Sequence, residues 1–331
     1  MINKAAQLSP KLFEKDIEMI PNRDGYGNGL VEAGRKDERV VALCADLTES
    51  TRTQYFKDEF PERFIEIGVA EQALATVAAG MATYGKIPFI SSYASFSPGR
   101  NWEQIRTTAA LNDVPVKIAG AHAGISVGPD GATHQMLEDI ALMRVIPNII
   151  VIVPCDAEEA RKATVEAAFN GKPTYLRFAR NNTPVMTTEK TPFKIGRSEI
   201  FWEDKDPLVT IIAAGPLLYE SLKAAKILAK SKISSVVINN HTIKPIDERT
   251  IIKYAKLTSA VVTVEEHQVN GGLGSAVAEV LVKNFPVPME FVGMPDSFGE
   301  SGQPEELMKK YGMTDKDIVE AAKRVISRKV V

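Results

Sequence analysis

The chain has four histidines, His122, His134, His241 and His267. No pair has the i, i+4 spacing of a helical zinc site, and no cysteine stands near one in sequence. His122 and His134 bracket a glycine-rich stretch that also holds Gly124, Gly128, Asp130 and Gly131. Glycines let a backbone approach a ligand closely, while histidine and aspartate side chains can bind hydroxyls and move protons. A second cluster is Gly68-Val69-Ala70-Glu71-Gln72, where Glu71 opens an alanine-rich run. A carboxylate in a first helical turn is accounted for by the helix dipole alone. The functional alternative is a buried carboxylate held against a ligand and tuned by burial. Phe89, Tyr93 and Phe96 form a third cluster, read either as core or as an apolar wall for a flat ring. The turn Gly271-Gly272-Leu273-Gly274 suggests a phosphate cradle, but Val277 stands where the last glycine should be, so a plain strand-to-helix turn is favoured.

These residues need a scaffold. Short apolar runs at 40–43, 88–91, 116–119 and 149–153 read as buried parallel strands, with helices at 71–84, 102–110 and 157–169 between them. A polar, proline-marked segment follows residue 182. A second set then begins: strands at 208–213, 235–238, 260–264 and 289–292, helices at 219–230, 248–255 and 273–284. Such alternation predicts an α/β protein with two doubly wound, mostly parallel sheets. The expected partition is a first domain over 1–190, a linker over 191–204 and a second domain over 205–331. The glycine-rich stretch follows the strand at 116–119 directly, and open α/β sheets bind ligands beyond the carboxyl ends of their strands.

Composition narrows the function classes. The 331 residues carry 40 Lys+Arg against 42 Asp+Glu, a net charge of −2, which lacks the basic excess of a nucleic-acid binder. No apolar run reaches the length of a membrane span, and no signal segment is visible. Cys44 and Cys155 lie far apart beside apolar runs, as buried thiols in a reducing cytoplasm would.

Five short motifs, taken in order, resemble the pyrimidine-binding and C-terminal domains of the transketolase family of thiamine-diphosphate enzymes. They are Ala45-Asp46-Leu47-Thr48-Glu49-Ser50, Gly68–Gln72, Gly128–Gln135, Phe178-Ala179-Arg180-Asn181 and Val264-Glu265-Glu266-His267-Gln268. The resemblance runs from about Arg23 to the end. It implies that Glu71 is the carboxylate that hydrogen-bonds the cofactor's pyrimidine and favours its imino tautomer, so that the cofactor can activate its own thiazolium carbon. It implies that Phe96 stacks on the pyrimidine, that Tyr93 lines the same pocket and that Phe89 lies behind. Arg23, Ser50, His122 and Arg180 match the grip on a sugar phosphate, Asp130 a contact to a substrate hydroxyl, and His134 a group near the reacting hydroxyls.

Full-length members hold the diphosphate through Mg²⁺ in an N-terminal domain marked by Gly-Asp-Gly. That motif is absent, the nearest approaches being Arg23-Asp24-Gly25 and Pro129-Asp130-Gly131, so no metal ligands are assigned here. The resemblance therefore implies one subunit of a split transketolase, partnered by a transketolase N-terminal subunit, self-dimerising and active as α₂β₂ in pentose phosphate metabolism. Rivals are a deoxyxylulose-phosphate synthase, whose pattern has arginine where His122 stands, and a 2-oxoacid dehydrogenase β subunit, which has no use for a sugar-phosphate grip. A regulatory or structural subunit is the non-enzymatic alternative.

Overall fold

The structure, a computed structural model, describes residues 1–329. It is α/β, built on two large sheets. The first has seven strands in the spatial order Thr242–Lys244, Ile150–Ile152, Thr174–Arg177, Lys117–Ala121, Ile87–Tyr93, Val40–Cys44 and Phe64–Glu66. All but the first are parallel. Val40–Cys44 and Lys117–Ala121 are buried at every position because helices cover both faces; the one charged residue in them, Lys117, donates to Asn170 Oδ1 at 2.8 Å and to the Lys172 carbonyl at 2.6 Å. The second sheet has the order Met289–Met294, Val261–Gln268, Val209–Ala213, Ser235–Asn239 and Glu199–Glu203, the last antiparallel. Among the described residues no helix is long and apolar enough to cross a membrane.

The expected partition of the chain is crossed at three places. Glu199–Glu203 lies inside the segment read as linker, yet pairs with Ser235–Asn239 as the edge of the second sheet. The amino-terminal residues also belong there: Ile2 bridges Trp202, and Ala6 and Leu12 are buried in the second core cluster. In the other direction, Thr242–Lys244 leaves the second domain and pairs with Ile150–Ile152 of the first sheet. Each crossing gives an edge strand a partner, and paired edges are the stable arrangement.

The first sheet gains one helix that the sequence pattern hid. Asn22–Lys36 carries Gly25, Gly27, Gly29 and Gly34, a composition that argues against a helix on propensity. Packing overrides propensity here. The helix lies so close to Ala157–Phe169 that a Cβ on Gly25 would stand 1.8 Å from the Ala157 carbonyl oxygen, and one on Gly29 2.7 Å from that of Arg161. The facing helix is fixed at its start by Asp156, whose side chain accepts from the Glu159 N–H at 2.8 Å. This contact also sets the first turn of Asn22–Lys36, which carries Arg23.

Gly25→Ala should therefore destabilise the fold by about 1–3 kcal/mol or more, the usual cost of overpacking. Gly80, in an exposed part of Glu71–Thr83 where a Cβ would meet nothing within 4 Å, gives the contrast. Gly80→Ala should stabilise by about 0.5–1 kcal/mol through backbone entropy. Urea unfolding of both variants checks the pair, and equal effects of one sign would contradict the close helix contact.

Candidate active site

Five neighbouring parallel strands end along one edge of the first sheet, and each delivers side chains there. Thr174–Arg177 leads to Arg180, Lys117–Ala121 to His122 and the loop carrying Asp130 and His134, and Ile87–Tyr93 to Tyr93 and Phe96. Val40–Cys44 leads to Ser50, and Phe64–Glu66 to the turn before Glu71. Arg23 joins them from the first turn of Asn22–Lys36. Three non-glycine residues of this edge, Asp46, Arg52 and His122, adopt left-handed backbone conformations at φ 55°, 67° and 54°. Such strain persists only where the surroundings hold it, and it gathers at functional sites.

Glu71 starts the helix Glu71–Thr83 and is only 2 % exposed. Its Oε2 accepts from Arg100 Nη1 at 2.6 Å, and the Asn101 side-chain amide donates to its carbonyl at 2.9 Å. Arg100 also lies over the Phe96 ring, 4.8 Å from its centroid. Tyr93 and Phe96 stack with centroids 6.1 Å apart, and His134 meets the edge of both, at 6.2 and 5.5 Å. Tyr93 and Phe96 are half-buried, so the wall has an open side. Phe89, in contrast, is fully buried against Tyr26 and belongs to the core behind the sheet.

The other end of the row is cationic. Arg23 Nη1 donates to the Ser50 carbonyl at 3.0 Å and stands 3.0 Å from His122 Nε2. A guanidinium can only donate, so Nε2 accepts and the proton of the neutral ring sits on Nδ1. That Nδ1 is buried with no hydrogen-bond partner among the described residues, as is Arg23 Nε. Burial, with Arg23, Arg180 and Arg52 nearby, pushes the His122 imidazole down to about 3, so it is neutral near pH 7. Arg180 Nη1 donates to the Val127 carbonyl at 2.7 Å and lies 3.5 Å from Asp130 Oδ1. Tyr93 packs against His122 with ring centroids 4.0 Å apart and planes tilted by 49°, which joins the aromatic and cationic halves. The nine residues singled out in the sequence thus line one sheet edge.

Two family models match this chain: transketolase, pyrimidine binding domain, over residues 18–186, and transketolase, C-terminal domain, over residues 201–318. A protein named "Putative transketolase C-terminal section" from Methanocaldococcus jannaschii is 46% identical across 92% of this chain and 95% of its own length. The chain belongs to the transketolase family. The 6-deoxy-6-sulfo-D-fructose transketolase subunit SqwH of a Clostridium species is 40% identical over 96% of this chain and 98% of its own. Rat transketolase is 36% identical over 94% of this chain, which spans only half of that protein. A solved structure described as "Split gene transketolase, inactive beta4 tetramer" superposes with a TM-score of 0.88 at 44% identity, covering 94% of this chain and all of the other.

The family implies thiamine diphosphate, and the donor set fits one half of that molecule. A buried carboxylate beside an aromatic wall suits a pyrimidine. A buried, unpartnered imidazole N–H beside arginines suits an anionic substrate group. Oxygen ligands for a divalent ion are not gathered: among the described residues no group of three or more His, Cys, Asp or Glu converges. Sequence reasoning missed Arg100 and Asn101, which hold Glu71, because nothing in their spacing marks them. The Gly271–Gly274 turn is a plain one. Glu265 fills it, accepting from the N–H groups of Leu273 and Gly274 at 2.7 and 2.8 Å, and leaves no room for a phosphate.

The His122 shift gives a pH prediction. Free histidine titrates near 6.5, so between there and about 3 the unfolded chain binds a proton that the folded chain refuses. Its stability contribution is complete above pH 6.5 and is lost as pH falls. His241, buried and likewise pushed down to about 3, adds a second loss of the same sign. His122→Asn should make the decline between pH 6 and 4.5 shallower by up to about 1.4 kcal/mol per pH unit. Urea unfolding at stepped pH measures this, and parallel curves for wild type and variant would contradict a neutral His122.

Proposed function

We propose that this chain is the C-terminal subunit of a split, thiamine-diphosphate-dependent transketolase. It moves a two-carbon ketol unit from a ketose phosphate to an aldose phosphate together with a separate N-terminal subunit that binds the diphosphate and Mg²⁺. The observation that carries this reading is the single row running from Glu71 through Phe96, Tyr93 and His134 to His122, Arg23 and Arg180. A carboxylate, an aromatic wall and a cationic corner are the groups that a pyrimidine, a sugar and its anionic end would each need.

Thiamine diphosphate, when bound, would supply an acidic thiazolium carbon as the nucleophile for ketol transfer. Glu71 would accept a hydrogen bond at its pyrimidine, with Arg100 and Asn101 fixing the carboxylate and its backbone. Phe96 would stack on the ring and Tyr93 would close its side. His134 takes and returns protons at the substrate hydroxyls, and Asp130 holds a hydroxyl. Arg23, Arg180, the Ser50 segment and the His122 Nδ1–H bind the terminal anion. His122, rather than arginine, favours this reading over deoxyxylulose-phosphate synthase. Three nearby arginines are superfluous in a 2-oxoacid dehydrogenase β subunit. The sulfo-sugar in the name of the clostridial relative is a reminder that sulfonate is also a tetrahedral anion. The arginine corner suits either group, and competition between sulfonated and phosphorylated ketoses sorts them.

Assembly follows from the half-site. The full-length relatives are twice as long as this chain, and the solved tetramer of a split relative is described as inactive. This chain alone is accordingly expected to lack ketol transfer and to bind the cofactor weakly, gaining activity as an α₂β₂ complex in the cytoplasm. Full activity from the isolated chain would overturn that.

Two substitutions in the reconstituted complex test the assignment. Glu71→Ala should lower kcat by at least a hundredfold while weakening cofactor binding less, because the partner still holds the diphosphate. Near-wild-type turnover would return Glu71 to a plain helix-start carboxylate. Arg180→Ala should raise KM for phosphorylated donors about ten- to a hundredfold, the worth of a charge-assisted contact, and spare unphosphorylated donors. Equal losses for both donor classes would make Arg180 structural.

A further inference from the structure

We propose that Glu266, on the second domain's strand Val261–Gln268, is a positioning residue for the anion grip of the first domain. The inference rests on the functional reading above only for what the grip binds. Glu266 is 2 % exposed, and its Oε1 accepts from the backbone N–H of Ser126 at 2.6 Å across the domain boundary. Ser126 lies in the loop that carries His122, Asp130 and His134. The next residue along, Val127, gives its carbonyl oxygen to Arg180 Nη1 at 2.7 Å. One short stretch of backbone is therefore held by Glu266 on one side and holds Arg180 on the other.

The loop is shaped to this contact. Gly124 stands at φ +93°, and a Cβ there would lie 2.3 Å from Glu266 Oε1. Only glycine allows both the left-handed backbone and the carboxylate's approach. Glu266 is itself anchored, since its carbonyl accepts from Arg177 Nη2 at 2.8 Å and Arg177 is paired with Asp139 at 2.7 Å. A second support comes from the same domain. Gln135 Nε2 donates to the carbonyl of Glu300 at 2.9 Å and to those of Ile125 and Gly128 at 3.3 and 3.2 Å. The second domain thus does more than assemble: it sets where the loop, and through it Arg180, stands.

Reach and charge can be separated with conservative variants. Glu266→Gln keeps an oxygen at the same distance from the Ser126 N–H, whereas Glu266→Asp keeps the charge and withdraws the oxygen by one methylene. Amide hydrogen exchange of the full chain should show the 122–135 segment exchanging about tenfold faster in E266D and near wild type in E266Q, with the second domain's strands unchanged in both. Unchanged exchange in E266D, or a loosened loop in E266Q with a tight one in E266D, overturns the proposal. This arm needs no enzyme activity, so it stands apart from the functional reading, which fails if the wild-type complex transfers no ketol unit. In the reconstituted complex E266D should raise KM for phosphorylated donors severalfold, with kcat less affected. Combined with Arg180→Ala it should add almost nothing further, because both act through one grip. A fully additive effect would mean that Glu266 acts on stability alone.

Discussion

The residues of this site are scattered from Arg23 to Arg180, and what gathers them is the parallel pairing of five strands whose carboxyl ends share one edge. Parallel strands require crossovers, and each crossover here is a covering helix, so both faces of the sheet are buried while the strand ends stay free. Every loop that leaves the edge begins from a backbone that cannot shift. That rigidity sustains Asp46, Arg52 and His122 in left-handed conformations. If the helix Asn22–Lys36 were lifted from Ala157–Phe169, Arg23 would leave the row, and His122 would lose the donor that fixes its tautomer.

Much of this was legible in the residues. The apolar runs at 40–43, 88–91, 116–119 and 149–153 became strands or parts of strands because continuous burial on two faces writes itself directly into composition. Glu71, His122 and His134 stood out as candidates beside glycine-rich or strand-end segments, and the structure brings them to one sheet edge. What stayed hidden depended on partners distant in sequence. Four glycines in 22–36 gave no helix signal, yet Gly25 and Gly29 lie against the facing helix while Gly27 and Gly34 lie against residues 52–60. Thr242–Lys244 is too short to announce itself, and its place is decided by the unpaired edge of a sheet made almost entirely from earlier residues. Arg100 is one of many exposed arginines until its guanidinium is found on Glu71.

The electrostatics divide the row. At the Glu71 end a carboxylate is nearly removed from water, with one half-exposed guanidinium on it. Burial of a charge is costly unless it is partnered, so this end is at rest only while Arg100 stays or something else donates in its place. At the other end Arg23, Arg52 and Arg180 crowd one another, and burial together with Arg52 lowers the Arg23 pKa. Asp24 pairs with Arg52, and Asp130 stands at the margin of Arg180. Arg23, whose Nη1 is turned to the Ser50 carbonyl and His122, has no carboxylate within salt-bridge distance among the described residues, and such a cation attracts anions. His122 contributes a donor there without adding a cation, because burial, with the arginines around it, lowers its pKa.

One strand of the second domain meets this arrangement with a buried carboxylate. Along Val261–Gln268, Glu265 and Glu266 are consecutive, and consecutive strand residues point to opposite faces. Glu265 turns inward to its own domain and fills the start of the helix Leu273–Asn284, while Glu266 reaches across to Ser126. Burial raises the pKa of both carboxyls, so neither is kept there cheaply, and each is retained against backbone N–H groups that would otherwise be unsatisfied. Of the two buried acids, Glu265 fixes a helix start within the second domain and Glu266 holds the first domain's loop. The loop is thus held from behind by the chain's own second domain, while the half-buried Tyr93 and Phe96 leave the row one open side.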